Sequence, residues 1–214
     1  MLRIASWNIN SVRLRIDMVR RFLAEAKPDV LCLQEIKCRN GEFPEKAFKD
    51  AGYRHMHVVG QKGWHGVAIV SRIKLEPLEG PKLCPKDEAR VAAVKLDGIE
   101  LHNLYVPAGA DVPDPVANPK FKHKLDVLER MKRQYKKRAA PTVLVGDLNV
   151  APGEFDVWSH KQLLDVVSHT PAETSRLNAA LAAGRFVDLA RLHRPDPERL
   201  FTWWSYRSPD WTRN

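Results

Sequence analysis

The sequence predicts an α/β fold in which two mixed β-sheets pack together and helices cover them on the outside. Three observations lead there. Short apolar runs of strand length alternate along the chain with segments whose apolar residues recur at helical spacing. The runs are joined both by hairpin-type turns and by strand–helix units, which calls for antiparallel and parallel pairing in the same molecule. The 214 residues, 44% of them apolar, suffice for one core, and no repeat or low-complexity stretch divides them, so residues 1–214 are expected to form a single domain.

The elements follow in order. Leu2 to Trp7 reads as a strand that runs into Asn8-Ile9-Asn10. Arg15 to Ala26 reads as an amphipathic helix with Val19, Phe22, Leu23 and Ala26 on one face, stopping before Lys27-Pro28. Val30 to Leu33 is an apolar strand ending in Gln34-Glu35. Pro44 to Ala51 is a short helix closed by Gly52. Tyr53 to Val59, Gly66 to Ser71 and Val91 to Leu96 read as strands, and Asp97-Gly98 is a hairpin turn into the strand Ile99 to Leu104, with Tyr105 at its end. A Pro-rich loop spans Pro107 to Pro119 and is long enough to carry function. Asn118 caps a helix that begins at Pro119 and runs to Arg138, and the strand Val143 to Val145 leads into Gly146-Asp147-Leu148-Asn149. His160 and His169 flank a further helical stretch. Thr170-Pro171-Ala172-Glu173 is a capping box for a helix closed by Gly184, and Phe201 to Tyr206 reads as a last extended segment.

Composition narrows the partners. Lys and Arg number 35 against 26 Asp and Glu, a formal charge of +9, which favours a polyanion. Nine of the basic residues fall between Lys120 and Arg138. Most of that run reads as a solvated helix face; Lys120, at the helix start beside the loop, is the exception. No apolar run reaches the roughly 18 residues of a membrane span, and the N-terminus enters a strand at once without a signal-peptide pattern. Cys32, Cys38 and Cys84 have neither a disulfide framework nor metal-ligand spacing, so a reducing, cytoplasmic setting is expected.

The chemistry gathers at strand ends. Gly146-Asp147-Leu148-Asn149 taken alone is explained by turn preference, because Gly, Asp and Asn are common where a strand stops. It also suits a site: a carboxylate can position a water, an amide can donate to a phosphate oxygen, and the two residues share a face if strand geometry continues. The pattern recurs at Asn8 and at Glu35. Mg²⁺ takes oxygen ligands, often one or two carboxylates with waters and substrate phosphate, so Asn8, Glu35 and Asp147 can build a sparse metal site at one end of a sheet. Tyr105 is either a core residue with a satisfied hydroxyl or a phosphate donor at that same end. The aromatic cluster Trp203, Trp204, Tyr206 and Trp211, interleaved with Arg207, suits stacking on exposed nucleic acid or packing into a core.

Ser6 to Arg13, Leu33-Gln34-Glu35-Ile36-Lys37-Cys38, Gly60-Gln61-Lys62-Gly63, Arg90 before a strand, Asn103-Leu104-Tyr105-Val106-Pro107, Gly146 to Pro152 and Phe201-Thr202-Trp203 with Tyr206-Arg207-Ser208 occur in that order. Together the set resembles exonuclease III, the abasic-site endonuclease branch of the endonuclease/exonuclease/phosphatase superfamily. The resemblance implies a four-layer α/β sandwich. It implies hydrolysis of a phosphodiester in double-stranded DNA, at abasic sites and 3′ ends, leaving a 3′-hydroxyl, by a monomer that uses Mg²⁺, with Mn²⁺ as the alternative ion. Glu35 would be the principal metal ligand with Asn8 beside it, and Asp147 and Asn149 would complete the set. Asp147 would also activate water, Asn149 would bind phosphate and Tyr105 would contact the scissile phosphate. Arg90, Lys120, Trp203 and Arg207 would bind the substrate.

Two departures stand out. Ala108 replaces a Gln that the family carries after Tyr-x-Pro. The family also continues past Asn214 with an Arg-x-Asp strand and a Ser-Asp-His strand that supply its catalytic Asp and His, and none of the eight histidines here stands in for that His; His65 is expected to sit exposed in a turn. A phosphoesterase of the same superfamily acting on another ester, and a nucleic-acid binder without catalysis, are the competing readings.

Overall fold

The computed structural model describes residues 1–203. Its elements are β1 (Ile4–Asn8), α1 (Ile16–Ala26), β2 (Val30–Gln34), α2 (Glu45–Asp50), β3 (His55–Val59), β4 (Val67–Ser71), β5 (Glu76–Leu78), β6 (Val91–Leu96), β7 (Ile99–Tyr105), α3 (Pro119–Tyr135), β8 (Thr142–Asp147), α4 (His160–Leu163), α5 (Pro171–Ala183) and α6 (Leu189–His193). Among the described residues they form two four-stranded sheets, in the orders β1-β2-β4-β3 and β5-β6-β7-β8. Each sheet holds one parallel pair, β1 with β2 and β7 with β8, and is otherwise antiparallel.

The layering follows from the period-2 alternation of strands. In β2, Val30 and Cys32 point between the sheets and pack with Val67, Ile69, Ala92, Val94 and Leu101. Leu31 and Leu33 point the other way, against Val19 and Leu23 of α1 and Phe48 of α2. On the second sheet Leu104 meets Val127, Leu128 and Met131 of α3 and Leu177 and Ala180 of α5. The result is helix, sheet, sheet, helix: the expected four-layer sandwich. Strands buried on both faces read as continuous apolar runs, which is why β2 and β4 were visible in the sequence.

Local signals account for most boundaries. Asn118 accepts from the backbone N–H of Lys120 and Phe121 and caps α3, with Pro119 in the first turn. Thr170 and Glu173 form the capping box of α5. Asp97 and Gly98 both take positive φ, 49° and 81°, as a tight hairpin turn requires. Gly184 caps α5 as expected, in a right-handed conformation, and the left-handed residue after it is Arg185 (φ 51°). Two expectations need correction. The helix begun at Pro119 ends at Tyr135, three residues short of Arg138. Phe201 to Trp203 carry no regular secondary structure, and the remainder of that expected segment lies outside the described residues. The strand β5, Glu-Pro-Leu at a sheet edge, was missed because three residues with a central proline show no alternation; α6, of five residues, is too short for a helical period to register, and the helical stretch expected between His160 and His169 is the single turn α4.

Candidate active site

The four polar strand ends come from both sheets and converge. Asn8 ends β1 and pairs in register with Gln34, the last residue of β2, so Glu35 follows directly beside it. Tyr105 ends β7 and pairs with Asp147, the last residue of β8. Both pairs are parallel, so these are carboxyl ends of neighbouring strands, the edge at which α/β sheets present ligand-binding groups.

The amide of Asn8 ties the sheets together at this rim. Its Nδ2 donates to Glu35 Oε1 at 2.9 Å and to Asp147 Oδ2 at 2.8 Å. Asn8 Oδ1 accepts from the backbone N–H of Asn10. Tyr105 donates its hydroxyl to Glu35 Oε1 at 2.8 Å, and Lys37 Nζ lies 2.9 Å from Glu35 Oε2. Two carboxylates therefore reach one amide from opposite sheets.

Their environments push them apart electrostatically. Burial alone would raise the Glu35 pKa, but hydrogen bonds from Asn8, Lys37 and Tyr105 and the Lys37 charge together hold it below the usual carboxylate value. Asp147 goes the other way: burial raises it, the bonds from Asn8 and the Asn149 N–H only partly offset this, and the Glu35 charge adds to the rise. Tyr105 is pushed up by burial and by Glu35, so it remains a protonated donor. An ionised carboxylate beside a more basic one is the usual division between electrostatic stabiliser and proton acceptor.

Backbone geometry sets these positions. Asn10, Ser11, Glu35, Lys37 and Asn149 all adopt positive φ, at 46°, 83°, 52°, 52° and 51°. Such conformations persist where the surroundings over-determine them and cluster at functional sites. Strand geometry does not continue past Asp147. Asn149 turns left-handed, its N–H donates to Asp147 Oδ1 and its Nδ2 to the Val106 carbonyl, at 3.0 and 2.8 Å. Turn chemistry and site chemistry thus coincide: Asp147 closes the turn with one oxygen and meets Asn8 with the other. Gly146 has φ 137°, and a Cβ there would lie 2.0 Å from the Leu104 carbonyl oxygen on the paired strand.

The substrate candidates are scattered. Arg90 is buried; its Nε reaches Glu88 Oε2 at 2.6 Å, its Nη1 donates to the Tyr105 carbonyl at 3.2 Å and its guanidinium lies over the Tyr105 ring. Lys120 is exposed at the start of α3 and Trp203 is 72% exposed. Arg207 lies outside the described residues. His65, expected in the open, is mostly buried with Nε2 3.7 Å from Glu88 Oε1, because the turn that carries it folds back onto the Arg90 segment.

Several residues near the site gave no separate signal in the sequence. Lys37 joins Glu35 to Asn10 Oδ1 and lies under the ring of Trp64, which is 75% exposed at the rim. Gln34 donates to Asn103 Oδ1 at 2.6 Å, and Asn103 donates back across the sheets to the Leu33 and Ala68 carbonyls. Lys124, fully buried, donates to the carbonyls of Asn149 and Ala108 and pairs with buried Glu173. An amide or lysine inside an apolar run is a sequence cue to such a bridge, since buried polar groups require partners.

Comparison with known proteins identifies the family and the fold. The profile of the Endonuclease/Exonuclease/phosphatase family matches residues 5–214. The chain is 29% identical to an exodeoxyribonuclease of Bacillus subtilis over all of its length and 84% of that protein's. It superposes with a TM-score of 0.88 on an AP endonuclease from Archaeoglobus fulgidus, 38% identical, covering 98% of this chain and 80% of that one. A 3′ phosphatase from Neisseria bound to product DNA hairpin gives the same TM-score at 30% identity, with 100% and 82% coverage. The chain spans 31% of the length of a recombination repair protein of Drosophila melanogaster, to which it is 29% identical. The chain belongs to the endonuclease/exonuclease/phosphatase family, alongside its exonuclease III and AP endonuclease members, which are nucleases.

Proposed function

We propose that this protein is a DNA repair nuclease that hydrolyses the phosphodiester at abasic sites and 3′ ends of duplex DNA and leaves a 3′-hydroxyl. The observation that carries the reading is the convergence of Glu35 and Asp147 on the Asn8 amide, with Tyr105 bonded to the same Glu35 oxygen. An all-oxygen donor set with two carboxylates fits a hard divalent cation. Asn8, Glu35, Asp147 and Asn149 would hold Mg²⁺, with Mn²⁺ as the alternative. The ion would supply neutralisation of charge on the phosphate and the leaving oxygen.

The chain's own groups divide the remaining work. Asp147, the more basic carboxylate, accepts the proton of the attacking water and aims it in line. Tyr105 stays protonated and donates to a non-bridging oxygen, and Asn149 offers its second amide hydrogen to another. Lys120 and the +9 charge draw the DNA backbone in. Arg90 positions Tyr105, while Trp203 and Arg207 contact the sugar side of the lesion. A missing base lowers the cost of turning the sugar out of the stack. We further infer a monomer working in the cytoplasm; among the described residues no helix is long and apolar enough to cross a membrane.

The test is cleavage of an abasic duplex in Mg²⁺, with the product end assayed by polymerase extension. Glu35→Ala and Asp147→Ala are each expected to abolish cleavage, and near-normal activity in either sinks the assignment. Salt-dependent DNA binding without cleavage in the unaltered protein would instead establish a binder, and turnover of inositol phosphates but not DNA another phosphoesterase.

A further inference from the structure

We propose that Cys84, Glu88 and His123 form a second metal site, suited to a borderline cation such as Zn²⁺ and distinct in chemistry from the all-oxygen site at Glu35. Cys84 and Glu88 lie four residues apart in the segment that leads into β6, and His123 lies in the first turns of α3. Among the described residues their three ligand atoms all fall within 4.8 Å of one another. Cys84 Sγ is 3.3 Å from His123 Nε2 and 3.7 Å from a carboxylate oxygen of Glu88. Tetrahedral zinc with its usual bond lengths to sulfur and nitrogen separates the two donors by about 3.5 Å, close to the 3.3 Å between Cys84 Sγ and His123 Nε2. Cys84 Sγ and His123 Nε2 lie within hydrogen-bond distance; an ion bound between them would displace any proton held there to solvent and take the sulfur as thiolate.

The donor set is selective. Thiolate and imidazole favour zinc over the hard cation of the first site, and three protein ligands leave a fourth position open to water. Glu88 is already oriented, with Arg90 Nε at 2.6 Å and His65 Nε2 at 3.7 Å, the kind of outer support that fixes ligand geometry. His123 is buried while Cys84 is partly exposed, so an ion has a path in. Occupancy would clamp the segment before β6 onto α3, one ion pair away from the arginine that packs on Tyr105.

The experiment titrates Co²⁺ into the metal-stripped full chain in excess Mg²⁺. A thiolate-to-cobalt charge-transfer band should saturate at one equivalent and be displaced by Zn²⁺. Cys84→Ser should remove the band, His123→Gln should weaken binding roughly tenfold or more, and Glu35→Gln should keep it. A wild-type protein with no such band, or a band that survives Cys84→Ser, overturns the proposal. The unaltered protein gives an independent check: Cys32 and Cys38 are fully buried, so iodoacetamide should alkylate Cys84 first and Zn²⁺ should slow that reaction; unchanged alkylation in Zn²⁺ also overturns it.

Discussion

Replacing Gly146 with alanine tests whether the site depends on how closely β7 and β8 approach. Gly146 pairs with Leu104. An added Cβ would sit 2.0 Å from the Leu104 carbonyl oxygen, 2.7 Å from its nitrogen and 2.8 Å from its carbonyl carbon. All three are backbone atoms, so no rotamer change relieves them. The φ of 137° adds strain of about 1–3 kcal/mol for any residue with a side chain. Forcing atoms into packed space adds about 1–3 kcal/mol more. Gly146→Ala should therefore cost about 2–6 kcal/mol out of the 5–15 kcal/mol typical of a domain. Gly98→Ala is the internal reference: it also has positive φ, 81°, but a Cβ there meets nothing within 4 Å, so it should bear only the conformational part. Urea unfolding of both variants at one pH gives the difference directly. Cleavage by the folded fraction of Gly146→Ala should also drop, because Asp147 is the next residue. If the two variants lose the same stability, or Gly146→Ala loses less than about 1 kcal/mol, the close-approach argument is wrong.

Other predictions follow from the same contacts. Tyr105→Phe removes the donor to Glu35 and should slow abasic-duplex cleavage by roughly 10²-fold with intact folding, read from single-turnover rates. Lys124→Met leaves Glu173 buried without its cation and should cost about 3–5 kcal/mol; Lys124→Met with Glu173→Gln should recover much of it in denaturation experiments. Burial lowers the pKa of His102 below its ordinary value of about 6.5. The unfolded chain then takes up a proton that the folded chain refuses, so stability is full above about pH 6.5 and falls as pH drops below it. His57 and His123 shift in the same direction from the same cause, and urea midpoints at about pH 7.5 and 5.5 should differ by less in His102→Gln than in the parent. Chelation with EDTA should abolish cleavage and added Mg²⁺ or Mn²⁺ should restore it, assayed on the same duplex.

The strand–helix order and the strand ends were legible because each leaves a local mark: a period-2 or continuous apolar run, then an amide or carboxylate. Asn8, Glu35 and Asp147 stood out on that ground, with the phenol of Tyr105 at a fourth strand end, and their meeting required only that the two sheets share a rim. The turn at Asn149 was legible as a Gly, Asp and Asn preference, but where it points Asn149 was not, because alternation is a property of strands and says nothing once φ becomes positive. His65 was misjudged for a related reason. It looks like a surface residue in its own segment, and only the fold carries Glu88 to it. Lys124 lay hidden in a basic run, where one inward-facing lysine resembles its solvated neighbours until α5 brings Glu173 to it.

The Gln34–Asn103 bridge makes the site an alignment gauge for the two sheets. Asn8 and Glu35 ride on one sheet, Tyr105 and Asp147 on the other, and the amide pair beneath them crosses the gap in both directions. A change in spacing anywhere in the layer between the sheets is then transmitted to the rim as a change in the distance from Asn8 to Asp147. Substitutions at Cys32 or Ala92, both buried between the sheets, would act on turnover as well as on stability. Trapping Gln34 or Asn103 as a nonpolar residue would let the halves slide while each keeps its own core. Selection on catalysis would thus be felt by inter-sheet residues that never meet the substrate.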